Sequence, residues 1–158
     1  SELLTENKAF SSLFRLRLVG VVSSQVLEKI KAYKLEDYTE IIGYVSHDDA
    51  IKFQMKSQVH LLIEIDSEDT KAIIPGKLFE YLVSGTPIIA IGPKQSDIEQ
   101  IISSTNTGSY FTYAQKTELK AHILDLFHKF QNKSLEVHPI GLEPYSRKEL
   151  TKRLASLI

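Results

Sequence analysis

The chain lacks several features that mark whole classes of protein. None of its 158 residues is a cysteine, which excludes disulfide scaffolds, thiol catalysis and cysteine-ligated zinc. The formal net charge is −1 and the lysines are spread along the chain, so the sequence indicates neither a nucleic-acid surface nor a polybasic membrane-binding segment. The longest apolar runs, such as residues 59–63 and 87–91, are too short to cross a bilayer.

The composition suits a soluble globular domain. Hydrophobic residues make up 42% of the chain and charged residues 25%, and a chain of this length can bury a core without covalent cross-links. The first residues show no basic stretch followed by an apolar one, so no secretion signal is predicted and a cytoplasmic location is expected. Membrane contact is expected only through other parts of a full-length protein.

Apolar strands alternate with amphipathic helices along most of the chain. Five strands are predicted, at residues 14–22, 40–45, 59–65, 87–91 and 109–112. Four serines are expected to cap the helices that follow them: Ser23, Ser46, Ser96 and Ser146. This order predicts an α/β fold with a doubly wound, mainly parallel sheet of the Rossmann type. Residues 13–158 are expected to form that domain, and residues 1–12 to be a linker or tail from a missing N-terminal domain.

One helix start is placed where an open parallel sheet binds its ligands, beyond the carboxyl ends of the strands. Pro75 and Gly76 begin this helix, whose unsatisfied N–H groups and dipole attract phosphate. Gly76 would let the backbone come close and Lys77 would add a positive charge, while Glu80, one turn later, could accept hydrogen bonds from a ribose diol. The alternative interpretation is an ordinary helix start with Lys77 and Glu80 as a solvated pair.

The same region carries a resemblance to a known family. Residues 75–88 read PGKLFEYLVSGTPI, and residues 91–93, 96–97 and 107–108 read IGP, SD and TG. Upstream lies GYVSH at residues 43–47, and downstream lie Tyr145-Ser146-Arg147 and Leu150. From about residue 16 to the end, this series resembles the C-terminal domain of the group 1 (family four) glycosyltransferases of the GT-B fold.

The resemblance implies a site for a nucleoside diphosphate sugar, UDP- or GDP-linked. Glu80 matches the second glutamate of the family's paired-glutamate motif and would bind the ribose. The diphosphate would be held around Pro75, Gly76, Lys77 and Leu78, and the base would lie near Val45, Ser46 and His47. Ala72 stands where the first glutamate of the pair is expected, and Glu68 is nearby but out of register.

The resemblance also implies what the whole protein does. The full-length protein would be a hexosyl-transferring enzyme whose acceptor is held by an N-terminal domain, so the isolated chain is expected to be inactive. No catalytic residue, metal site or cofactor is predicted.

Three other interpretations stay open at this stage. The chain could belong to a GT-B-like epimerase, or be a non-catalytic nucleotide-binding domain. Asp48, Asp49 and Asp66 superficially suggest a phospho-acceptor receiver domain, although the acidic pair follows the second strand rather than the first.

Two interpretations of single residues also stay open. His47 could be an exposed residue of a first helical turn. The acidic loop around Asp66 is expected to be solvated rather than to bind metal.

Overall fold

The computed structural model of the protein describes residues 1–157, which divide into two compact units, one Ser1–Phe53 and a second beginning at Gln54. The elements that begin in the first unit are α1 (Glu2–Glu6), α2 (Lys8–Leu13), β1 (Leu16–Val19), α3 (Ser24–Ala32), β2 (Thr39–Gly43) and α4 (His47–Met55). Those of the second unit are β3 (His60–Ile63), α5 (Lys77–Val83), β4 (Ile88–Gly92), α6 (Asp97–Thr105), β5 (Gly108–Thr112), α7 (Lys116–Gln131) and α8 (Arg147–Ala155). Short 3-10 turns lie at Glu36–Tyr38, Glu68–Thr70 and Glu143–Tyr145.

The strands pair in parallel within two sheets. In the first unit β1 pairs with β2, with Leu16 opposite Thr39. In the second unit the strand order is β3-β4-β5, with His60 opposite Ile88 and Ile88 opposite Gly108. The prediction of parallel pairing is confirmed, but the strands form two sheets where the sequence suggested one.

Helices cover both faces of the three-stranded sheet. Ile88 and Ala90 of the central strand pack with α5 and α6 in one buried cluster, which includes Leu78, Leu82, Ile98 and Ile102. Ile89 and Ile91 point the other way and pack with Leu126 and Ile123 of α7. This alternation is the period-2 geometry of a strand buried on both sides. The fold class is therefore α/β and Rossmann-like, as predicted.

Helices lie near both ends of the described chain. The segment expected to be a linker or tail, residues 1–12, contains α1 and most of α2; Asn7 caps α2 by accepting from the Phe10 N–H at 2.9 Å, and Phe10 is buried. At the other end, three leucines in or just after α8 are exposed: Leu150, Leu154 and Leu157. No helix within residues 1–157 is long and apolar enough to cross a bilayer.

Candidate functional site

The helix start predicted at Pro75 and Gly76 is present. It follows β3 and a loop containing the 3-10 turn, and it leads through α5 into the parallel neighbour β4. Gly76 is the N-cap residue in helical conformation, and within the described residues no side chain caps the helix. The Leu78 and Phe79 N–H groups donate to the carbonyls of Pro75 and Gly76 at 3.0 and 3.2 Å. Because α5 returns from the carboxyl end of β3, its start lies at the ligand-binding edge of the sheet.

The residues of this start differ in exposure. Gly76 and Lys77 are exposed, and Pro75 is half-buried. Leu78 is fully buried in the core cluster, so its side chain cannot reach a ligand, and its N–H already donates to the Pro75 carbonyl. Ala72 is exposed, and the neighbouring Glu68 forms an ion pair with Lys71, Oε2 to Nζ at 2.6 Å.

Glu80 is held by a residue that the sequence did not suggest. The Gln54 side-chain amide donates to Glu80 Oε2 at 2.7 Å, where the sequence interpretation offered Lys77 as a partner. Both groups are half-buried. This hydrogen bond limits the freedom of the Glu80 carboxylate.

The far end of α5 is anchored to β3 through His60. The His60 ring stacks on Tyr81 with centroids 4.2 Å apart, and its Nε2 lies 3.0 Å from Ser84 Oγ. Since Ser84 donates its own proton to the Tyr81 carbonyl at 2.8 Å, Nε2 must carry a hydrogen and donate to Ser84. Burial lowers the pKa of His60 to about 4.

The segment predicted to lie near the base, Val45 to His47, belongs to the first unit. It follows β2 and opens α4, as expected. Ser46 caps the helix by accepting from the Asp49 N–H at 3.2 Å, and its hydroxyl donates to the Asp49 carboxylate at 2.8 Å. Hydrogen bonds from Lys52 and then Ser46 lower the pKa of Asp49. His47 is an exposed residue of the first helical turn and Val45 is half-buried.

A buried carboxylate cluster at the same sheet edge was missed by sequence reasoning. Glu64, the residue after β3, is 9% exposed. Its Oε2 accepts from the Ser96 hydroxyl and its Oε1 from the Tyr110 hydroxyl, each at 2.7 Å. The Tyr113 hydroxyl donates to the Glu64 carbonyl. We call these four residues the Glu64 cluster.

The surroundings of this cluster explain its tight packing. Tyr110 Oη also lies 2.8 Å from the Pro93 carbonyl, and burial together with the hydrogen bond to Glu64 raises the pKa of Tyr110. A Cβ atom on Gly92 would lie 2.5 Å from Glu64 Oε1 and would also collide with the Tyr110 hydroxyl. The only sequence signal for the cluster was Glu64 itself, an acidic residue near the end of the mostly apolar strand predicted at residues 59–65.

Neither the grouping of metal-ligating side chains in the described residues nor similarity to known proteins indicates a function. Within residues 1–157 no three His, Cys, Asp or Glu side chains are grouped as a metal site. The sequence matches no protein-family model, and it has no significant match among curated proteins.

Proposed function

We propose that this chain is the donor-binding half of a GT-B glycosyltransferase of the group 1 (family four) type. It would bind a nucleoside diphosphate sugar, UDP- or GDP-linked, for transfer to an acceptor held by an N-terminal domain. The proposal includes a cytoplasmic location, and any membrane contact would belong to the full-length protein. The observation that carries it is the uncapped α5 start at the carboxyl edge of a parallel sheet, with Glu80 one turn further on.

The α5 start offers the chemistry that a diphosphate requires. The Leu78 and Phe79 N–H groups already donate to the Pro75 and Gly76 carbonyls, so a phosphate would be bound by the Gly76 and Lys77 N–H groups, where the helix dipole favours a negative charge. A Cβ atom built on Gly76 would meet nothing within 4 Å, so a phosphate can approach the main chain directly. Lys77, exposed at the first helical position, adds a mobile positive charge to the same place.

Glu80 is correctly spaced to bind the sugar next to that diphosphate. Three residues along a helix correspond to a rise of about 4.5 Å, and positions three apart share one face. A ribose attached to a phosphate at the helix start would therefore bring its diol near the Glu80 carboxylate. Because Gln54 fixes this carboxylate, little side-chain freedom would be lost on binding. The assignment of Val45, Ser46 and His47 to the base is proposed from the family resemblance alone.

The experiment is a calorimetric titration of UDP and GDP into the wild type and a Glu80→Gln variant. Glutamine keeps the shape and can still accept from Gln54, but it loses the charge. Hydrogen bonds to a charged acceptor contribute roughly 1.5–3 kcal/mol, so we expect affinity to fall about tenfold to a hundredfold.

A matched control is Glu118→Gln, which removes one exposed carboxylate at the start of α7. It should leave both affinity and melting temperature unchanged. Equal affinities of wild type and Glu80→Gln would remove Glu80 from the site, and no binding of either nucleotide by the wild type at millimolar concentration would contradict the proposed function itself.

A further inference from the structure

The Glu64 cluster is connected to the segment that leads into α5. Ser96, which donates to Glu64, is the N-cap of α6 and accepts from the Ile98 N–H at 3.1 Å. The next residue, Asp97, donates its N–H to the Lys71 carbonyl at 3.0 Å, and Ser96 Oγ lies 3.4 Å from the same carbonyl oxygen. The loop before Pro75 is therefore attached to the start of α6, and that start is attached to Glu64.

Glu64 forms hydrogen bonds through its main chain and through both carboxylate oxygens. Its N–H donates to the Ile91 carbonyl at 2.8 Å, its carbonyl accepts from Tyr113, and each carboxylate oxygen accepts from a hydroxyl group. A carboxylate that is buried and engaged in this way is costly to disturb, because its own oxygens would lose the hydrogen bonds that compensate for burial. Its position also keeps it from acting as a ligand group, since both oxygens are already bound by protein donors.

We infer that Glu64 is a positioning residue for the diphosphate-binding backbone at Gly76 and Lys77, acting through Ser96, Asp97 and the Lys71 carbonyl. This inference rests on the proposed function, because it assigns Glu64 a role in that same site. The carboxylate sets the direction of the α6 start, which holds Lys71, and Lys71 fixes the approach of the chain to Pro75. Glu64 itself does not touch the ligand.

The test uses Glu64→Gln. The glutamine side chain has one acceptor oxygen in place of two, so only one of the Ser96 and Tyr110 hydroxyls can still donate to residue 64. Hydrogen exchange, followed by NMR, is measured at three amides that donate hydrogen bonds in the connected segment: Ile73, Leu78 and Asp97. We expect their exchange to become about tenfold faster, as loss of a buried hydrogen bond predicts. The Ile88 amide, which donates to the Thr107 carbonyl in the central strand, should change by less than about twofold.

Two further variants test the Ser96 and Tyr110 hydrogen bonds of the Glu64 cluster separately. Ser96→Ala removes the hydroxyl that joins the α6 start to Glu64 and should reproduce the faster exchange at Ile73 and Asp97. Tyr110→Phe removes the link towards Pro93 and should leave these two amides near their wild-type rates. The control is again Glu118→Gln, which should alter no amide in the segment.

Titration with UDP and GDP completes the experiment. We expect Glu64→Gln to lower the affinity about tenfold while the Ile88 amide stays protected, a combination that general destabilisation would not give. Uniformly faster exchange, unchanged exchange at Ile73, Leu78 and Asp97, or faster exchange with wild-type affinity would each overturn the inference. If the wild type binds neither nucleotide, the proposed function fails, and the role of Glu64 at that site fails with it; the exchange data then show only whether Glu64 orders the loop.

Discussion

Two helices, α5 and α6, begin at the same edge of the three-stranded sheet and are completed in opposite ways. At α6 the capping Ser96 is fully buried, Ile98 donates to it, and Asp97 donates to the Lys71 carbonyl. At α5 the N-cap is an exposed glycine without a side-chain cap in the described part of the chain. At α5 the Leu78 and Phe79 N–H groups donate to carbonyls of the same turn, whereas the exposed main chain at Gly76 and Lys77 is open to water, which a ligand can replace. Under the proposed function, the α6 start serves the fold and the α5 start binds the ligand.

The largest effect is expected where α6 is most tightly enclosed. Gly92→Ala would place a methyl group against the Glu64 carboxylate and the Tyr110 hydroxyl. Overpacking of this kind costs about 1–3 kcal/mol, and we expect the free energy of unfolding to fall by that amount in urea denaturation. A loss below about 0.5 kcal/mol is normal for a surface substitution. Such a result would show that the Glu64 cluster accommodates the methyl group, and that the α6 start is less tightly enclosed than the comparison with α5 requires.

An intermediate effect on stability is expected from a change of pH. It acts through His60, which contacts the C-terminal end of α5. His60 titrates near its ordinary pKa of 6.5 in the unfolded chain and near 4 in the folded protein. Between these values the unfolded chain binds more protons, so stability is complete above pH 6.5, falls as the pH decreases towards 4, and levels off below that. The loss should be on the order of 1–2 kcal/mol, because a tenfold difference in proton affinity between the two states corresponds to about 1.4 kcal/mol and solvent screening reduces the total.

Urea denaturation between pH 7 and pH 4 checks this expectation, with His60→Gln as the comparison. Glutamine retains an N–H donor for Ser84 but does not titrate in this range. The variant should lose stability less steeply than the wild type over this interval. Identical slopes would mean that His60 does not carry the pH dependence of stability.

The smallest effect, and one of opposite sign, is expected at the open helix start. Gly76 has φ −54° and ψ −33°, and an added Cβ would meet nothing within 4 Å. Gly76→Ala should therefore raise the free energy of unfolding by about 0.4–1 kcal/mol, because alanine loses less backbone entropy on folding. Thermal denaturation of Gly76→Ala and Gly92→Ala, each compared with the wild type, measures the two changes in stability, which should have opposite signs. A destabilised Gly76→Ala would show that this glycine serves the fold and not an approaching ligand.

Local sequence rules predicted the helix starts well. Ser23, Ser46, Ser96 and Ser146 each accept a main-chain hydrogen bond two or three residues later, because capping depends only on neighbours in the chain. Ser96 and Glu99 have the spacing of a capping box, but Glu99 accepts from the Gln95 N–H and not from the Ser96 N–H. Strands β1 and β3 are shorter than predicted, because pairing ends before the apolar residues do.

The Glu64 cluster could not be predicted in the same way. Ser96 and Tyr110 lie 32 and 46 residues from Glu64 along the chain, and only the assembled sheet brings them together. Gln54 and Glu80 are 26 residues apart and were missed for the same reason. The resemblance located the α5 start because its residues are contiguous, and it gave no information about the tertiary contacts that hold that start in place.

The packing of Gly92 against Glu64 and Tyr110 also links the three positions in evolution. A side chain at position 92 would need the space that the Glu64 carboxylate and the Tyr110 hydroxyl occupy, so a mutation there becomes tolerable mainly after positions 64 and 110 have both shortened. Selection therefore acts on the three positions together. Diverging descendants of this chain should retain all three residues or exchange them together, and such a joint change would identify distant relatives whose overall similarity has been lost.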